Sequence, residues 1–127
     1  MRSDSAVMIM EKSMDALWQR NRVILDNISN ATTPGYKRKE VKFESLLDNV
    51  LKTSAASSRG EILNRISAIE PEVVRDLQTT INVDGNNVDS DKEFTELYRA
   101  TEQYQYMERL LNDSYARLRY AITEGRG

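Results

Sequence analysis

At 127 residues, 39% hydrophobic and 30% charged, the chain is one domain's worth of sequence with a thin supply of core-building side chains. Its 18 basic and 20 acidic residues nearly cancel to a net charge of −2, so nothing global draws it to nucleic acid or an anionic membrane. With no Cys and no His, disulfides, thiolate or imidazole metal sites and the usual Cys- or His-based catalysis are excluded.

No apolar run approaches the roughly 18–20 residues that span a bilayer. Glu11 and Lys12 arrive too early for a cleaved signal peptide, so any export is expected by a route that reads the mature chain. The first predicted element is a helix capped by Ser3, Asp4 or Ser5. Val7, Met10, Met14, Leu17, Ile24, Ile28 and Ala31 follow a 3-4 spacing, interrupted once by Asn21, which sets register in such a seam more often than it binds a ligand. From Ser5 to Asn30 this helix is expected to run about 39 Å. Met8, Trp18 and Leu25 widen the stripe on its flank.

The helix stops in the run Asn27-Ile28-Ser29-Asn30-Ala31-Thr32-Thr33-Pro34-Gly35-Tyr36-Lys37. Thr33-Pro34-Gly35-Tyr36 fits a type II turn, with proline second and glycine third, where φ must be positive. Asn27 and Asn30 are expected to meet the last helix carbonyls. Lys37 to Phe43 then reads as an extended, basic segment, either a solvated strand edge or an anion-binding patch. A short helix from Phe43 through Leu51 is followed by a linker, Lys52 to Gly60. Glu61 to Glu70 gives a helical turn or two before Pro71, and Val73-Val74 and Ile81-Asn82-Val83 are β-like. Asp84-Gly85-Asn86-Asn87 is a turn signal.

Ser90-x-x-Glu93 predicts a capping box opening a second long helix, which ends at Gly125 after about 51 Å. Its stripe runs Phe94, Leu97, Thr101, Tyr104, Glu108, Leu111, Tyr115, Leu118 and Ile122, again at 3-4 spacing. Tyr98, Tyr106, Met107, Leu110, Tyr120 and Ala121 lie off that seam and leave more than one face apolar. The expected fold is therefore mostly α: two long terminal helices pairing as an antiparallel coiled coil, with an irregular middle segment containing short extended pieces. Within one domain, residues 1–31 form the N-terminal coiled-coil helix. Residues 32–88 form the turn, extended segment and flexible middle, and residues 89–127 the C-terminal helix.

The Asn27–Lys37 run resembles the N-terminal signature of bacterial flagellar rod and hook proteins, roughly N-[IL]-[AS]-N-x-x-T-P-G-[YF]-[KR], carried here by Asn27, Asn30, Thr33, Pro34, Gly35 and Tyr36. Ser29 stands where alanine is common. The short chain leaves no room for the inserted domains of hook and distal-rod subunits. Asp84 to Asp89, followed by Asp91 and Glu93, is similar to the segment that opens the C-terminal helix of the B-type proximal-rod branch; the C-type branch is the second choice. The resemblance implies a structural subunit rather than an enzyme. It would be exported unfolded by the flagellar type III apparatus and self-assemble into the periplasmic rod of the basal body. Its neighbours would be copies of itself, FliE, the C-type proximal-rod protein, the export gate and the membrane ring. No cofactor, nucleic acid or small-molecule substrate is implied. Phe43-x-x-x-Leu47 is similar to the gate-recognition motif of such subunits, against a packing role for Phe43. The competing readings are a freestanding coiled-coil adaptor and an enzyme using Asp26, Glu44 or Asp89, which have no second catalytic partner in the sequence.

Overall fold

The computed structural model describes residues 2–125, with the side chains of residues 2 and 3 excepted. The cap expected of Ser3 and the outermost residues 1, 126 and 127 of the expected segments lie outside that description. The element order is α1 (Arg2–Ser29), β1 (Lys39–Lys42), α2 (Glu44–Thr53), α3 (Arg59–Ser67), β2 (Glu72–Arg75) and α4 (Ser90–Glu124).

α1 and α4 are the two long helices, about 42 and 52 Å at 1.5 Å per residue. They pack antiparallel: Asn27 near the end of α1 meets Glu93 at the start of α4, and Tyr115 late in α4 reaches Glu11 early in α1. α1 starts before the expected caps, so Asp4 stands inside its first turn, where a carboxylate favours the helix dipole, and pairs with Arg59 at 2.6 Å. Along α1, Leu17 and Ile24 are buried and Val7, Met10, Met14 and Ile28 half-buried. Asn21 interrupts this row as a half-buried residue whose Oδ1 accepts no hydrogen bond from the described residues.

On α4 half of the expected stripe is displaced by one position. Glu93, Leu97, Ala100, Tyr104, Met107, Leu111 and Ser114 form the inward row, with Glu96 and Leu110 half-buried beside it. Leu97 and Tyr104 pack with Met107 around Leu17, Ile24 and Ala100. Phe94, Thr101, Glu108, Tyr115 and Ile122 therefore leave the seam, and Leu118, in register, is exposed near the helix end. The reason is physical: Ala100 allows close approach of the helices, and the buried Glu93 must meet its partners. Together these fix the rotation of α4 against the greater apolar bulk of Phe94. The expected capping box is also absent at this point. Asp89 is the cap, its carboxylate accepting from the N–H groups of Asp91 and Lys92, which leaves Glu93 free to turn inward.

The middle is more regular than expected. β1 and β2 form a two-stranded antiparallel ladder, from Lys39 opposite Arg75 to Lys42 opposite Glu72, with α2 and α3 inserted between them. The expected linker contains the end of α2 and the start of α3, because Ser58 and Glu61 make a full capping box there. Ile81 to Val83 forms no strand; the segment closes a turn, with the Gly85 N–H donating to Asn82 O at 3.1 Å. α1 thus has a second buried flank, where Ala16 packs with Phe43 and Ile69 beneath Leu46, Leu47 and Val50.

Candidate functional site

The site is the corner where the end of α1, the turn after it, β1 and the start of α4 meet. The turn has the expected form: the Tyr36 N–H donates to Thr33 O at 3.2 Å, and Gly35 takes φ +74°. Gly85, at φ +87°, lies against it; a Cβ built there would stand 3.6 Å from Gly35 Cα. The Gly35 N–H donates to Asp84 O at 3.0 Å, and Lys37 Nζ donates to Gly85 O at 2.5 Å. The turns are distant in sequence and adjacent in space.

Three asparagines with no exposed surface join them: Asn27, Asn86 and Asn87. Each uses its amide as a substitute peptide group. Asn27 Nδ2 donates to Lys39 O at 2.8 Å, while its Oδ1 accepts from the Lys39 N–H at 2.9 Å, which docks the start of β1 on α1. Asn86 Nδ2 donates to the carbonyls of Asn30 and Thr33, both at 2.8 Å, and its Oδ1 accepts from the Val88 N–H. Asn87 bridges Arg38 and Asp76, accepting from the Arg38 N–H at 2.6 Å and donating to Asp76 O at 2.7 Å. A buried amide satisfied on both sides contributes through geometry as much as energy, since every unmatched atom would carry a desolvation penalty of about 1–3 kcal/mol.

The charge at the centre is Glu93, 1% exposed. Its Oε1 accepts from Arg38 Nε at 2.7 Å and its Oε2 from Asn27 Nδ2 at 3.2 Å. Lys39 Nζ holds Asp26 Oδ2 at 2.9 Å, and that hydrogen bond keeps the Asp26 carboxyl below the usual carboxylate range. Tyr36 donates to Asn27 Oδ1 at 3.0 Å; burial, and then the negative charge of Asp26, push its phenol up to about 12. Two turns back along α1, Arg20 grips Glu44 with two hydrogen bonds of 2.6 and 2.7 Å, which keep the Glu44 carboxyl low.

Two expectations change here. Asn30 does meet a late helix carbonyl, donating to Asp26 O at 2.8 Å, but Asn27 does not; it points across the corner to β1 and α4. The basic run after the turn is neither an anion patch nor a wet edge at Lys37, Arg38 and Lys39, whose cations are answered by Gly85 O, Glu93 and Asp26. Asp26, Glu44 and Asp89 are likewise engaged, the first two in ion pairs and the third as the α4 cap. Among the described residues no group of three or more His, Cys, Asp or Glu could hold a metal ion.

The corner therefore consists of two short runs, Asn27–Lys39 and Asp84–Glu93, that recognise each other through backbone. Both are the runs that carry the family resemblance. Over 115 residues the chain is 33% identical to the flagellar basal body rod protein FlgB of Borreliella burgdorferi, covering 82% of this chain and 85% of that one. It belongs to the FlgB family. It is also 31% identical to the FlgB of Bacillus subtilis over 125 residues, 92% of each chain, and 31% identical to that of Escherichia coli over 113 residues, covering 80% of this chain and 81% of that one. No protein-family model matches the chain.

The second site expected from sequence lies on the other flank of α1. Phe43 is buried against Ala16 and Ile69, with Leu47 half-buried beside it, so both side chains pack in the folded chain. What sequence reasoning missed is the pair Arg38 and Glu93 and the interior place of Asn86 and Asn87. The available signal was three asparagines and one acid in two turn-rich runs that no solvent-exposed loop requires.

Proposed function

We infer that the chain is a structural subunit of the flagellar basal-body rod in the B-type proximal position. It is exported through the flagellar type III apparatus and self-assembles helically into the periplasmic drive shaft for motility. Its neighbours in this reading are other copies, FliE and the C-type proximal-rod protein, with the export gate and membrane ring close by. The observation that carries the reading is that the two runs shared with the FlgB-type signature fold into one buried polar corner centred on Asn27 and Glu93. That corner is built for shape and leaves no reactive group over. It supports a part whose product is its own conformation.

The apolar surface left on the helix pair supports assembly. Trp18, Leu25, Tyr98, Tyr106, Tyr120 and Ile122 are each at least half exposed, a distribution that suits contacts on several sides. No helix among the described residues is long and apolar enough to cross a membrane. Phe43 and Leu47 can serve as a gate signal only while the chain is unfolded, which agrees with export before folding.

The test is a clean deletion of the gene in the host, complemented by this chain. Loss of swimming and of isolable rods, both restored by the chain, is expected. Normal motility in the deletion strain would sink the reading.

A further inference from the structure

Two unlike surfaces stand on opposite flanks of α1. On one flank a groove with a cavity volume of about 470 Å³ opens between three helices, floored by Leu17, Leu47, Leu51 and Met107 and edged by Glu44 and Asp48. Asp48 pairs with Lys52 at 2.7 Å, but both side chains remain largely exposed, so its charge faces solvent beside the apolar floor. On the other flank Trp18, Arg22 and Leu25 form an exposed ridge at 4-3 spacing, Trp18 55% and Leu25 50% exposed. The Arg22 guanidinium lies 4.9 Å from the centre of the Trp18 ring. At 100° per residue, the ridge and the groove wall formed by Ser13 and Ala16 point about 180° apart around the helix axis.

We propose that ridge and groove are the two halves of one interface between copies of this chain: Trp18 and Leu25 of one copy seat on Leu47, Leu51 and Met107 of the next, and Arg22 meets Asp48. The inference rests on the rod-subunit reading and deepens it by naming the surfaces. Three observations select a second copy as the occupant. The ridge brings a cation where the groove edge brings the exposed Asp48 carboxylate, Glu44 being held by Arg20. Its anchors are a Trp and an Arg, the side chains that most often dominate interface energy when seated in a pocket. And because the two surfaces differ and face opposite ways, neither is satisfied by a two-fold dimer; each copy that docks presents a fresh ridge or groove, the requirement for open helical growth.

The chain has no cysteine, so engineered thiols report this contact cleanly. Trp18→Cys and Leu51→Cys chains are purified separately and mixed at high concentration under mild oxidation. The expected product is a disulfide between the two variants, with each variant alone giving little, and a ladder from the double variant Trp18→Cys/Leu51→Cys. Equal self-linking of Trp18→Cys alone would overturn the proposal in favour of a two-fold dimer. So would absence of the ladder in protein whose helical circular dichroism is intact, including the case where linkage appears only on adding another rod protein.

A charge exchange supplies the second readout. Arg22→Asp and Asp48→Arg are each expected to lower ladder formation at least several-fold, and the double exchange to recover it. Failure to recover would count against the pairing. If the ladder fails while the chain still complements the deletion strain, the inference falls and the rod-subunit reading stands. If the deletion strain swims normally, that reading falls instead.

Discussion

The two ends of the helix pair are built on different principles. At the corner end Asn27, Asn86, Asn87 and Glu93 have at most 1% of their surface exposed, and named partners meet them all. At the far end, no described residue of α1 before Ser13 and none of α4 after Ala100 is fully buried, although Val7, Met10, Met14, Leu111, Leu118 and Ile122 are all apolar. One end is specified internally by directional hydrogen bonds. The other holds apolar surface that a two-helix stalk cannot cover alone, because two helices shield only one stripe of each other. The corner gives the subunit its shape, and the far end leaves its association open.

Breaking the corner has the largest expected effect. Glu93→Ala removes the acceptor of Arg38 Nε and one of the two acceptors of the Asn27 amide, leaving Arg38 only the half-exposed Glu40 at 3.2 Å. The loss costs about 3 kcal/mol, the lower end of the scale for a broken buried ion pair. Urea unfolding followed by circular dichroism reads this as a shifted midpoint; a loss under about 1 kcal/mol would mean the pair is not the centre of the corner. Gly35→Val comes next. A Cβ at Gly35 meets nothing within 4 Å, so the penalty there is φ strain alone, about 1–3 kcal/mol for a branched side chain at φ +74°. Because the strain redirects the chain after α1, loss of motility is expected with it, and a normally swimming Gly35→Val strain would contradict the turn's role.

The corner also has a pH signature at each end of the scale. The Asp26 carboxyl is held low by Lys39, so its contribution is present above the unfolded value of about 3.9 and is lost as pH falls through the lower folded value. Tyr36 works in the opposite direction. Its folded value of about 12 lies above the unfolded 10, so the folded chain keeps a proton that the unfolded chain gives up, and stability drops as pH rises between them. Tyr36→Phe should flatten the alkaline arm of a melting-temperature profile and weaken the acid arm only slightly, because Lys39 contributes more than the Tyr36 hydroxyl to holding Asp26 low. An unchanged alkaline arm would show that Tyr36 is not the titrating group.

Much of the frame was legible in the sequence because 3-4 spacing reports long helices and Pro34-Gly35 reports a turn. The rotation of α4 was not. Counting apolar residues favours Phe94 and Tyr115, whereas Ala100 and Glu93 decide the packing, one by being small and the other by being charged with a partner 55 positions earlier in Arg38. Pairings at that separation leave no periodic trace. The two turns were visible singly, but their mutual recognition depends on Asn86 reaching the carbonyls of Asn30 and Thr33, which composition cannot place. The linker was misjudged for a local reason: Ser58 and Glu61 cap a helix within a run of small polar residues.

The smallest effect on stability, and the sharpest test of the contrast, lies at the far end. Leu118 is 38% exposed and lies well beyond Ala100, the last buried residue of α4, so Leu118→Asp removes less buried apolar area than a change in the seam around Leu17 and Ile24. Its cost to the isolated chain is expected within about 0.5 kcal/mol, like a surface change. A buried seam leucine would instead cost several times more. Association should respond in the opposite proportion, since a charge in an apolar contact between subunits must be desolvated without a partner. Urea midpoints and sedimentation of the same preparation separate the two. A large midpoint shift would mean the far end is as self-sufficient as the corner. An unchanged midpoint with lost assembly would mean the apolar surface there is completed by other chains.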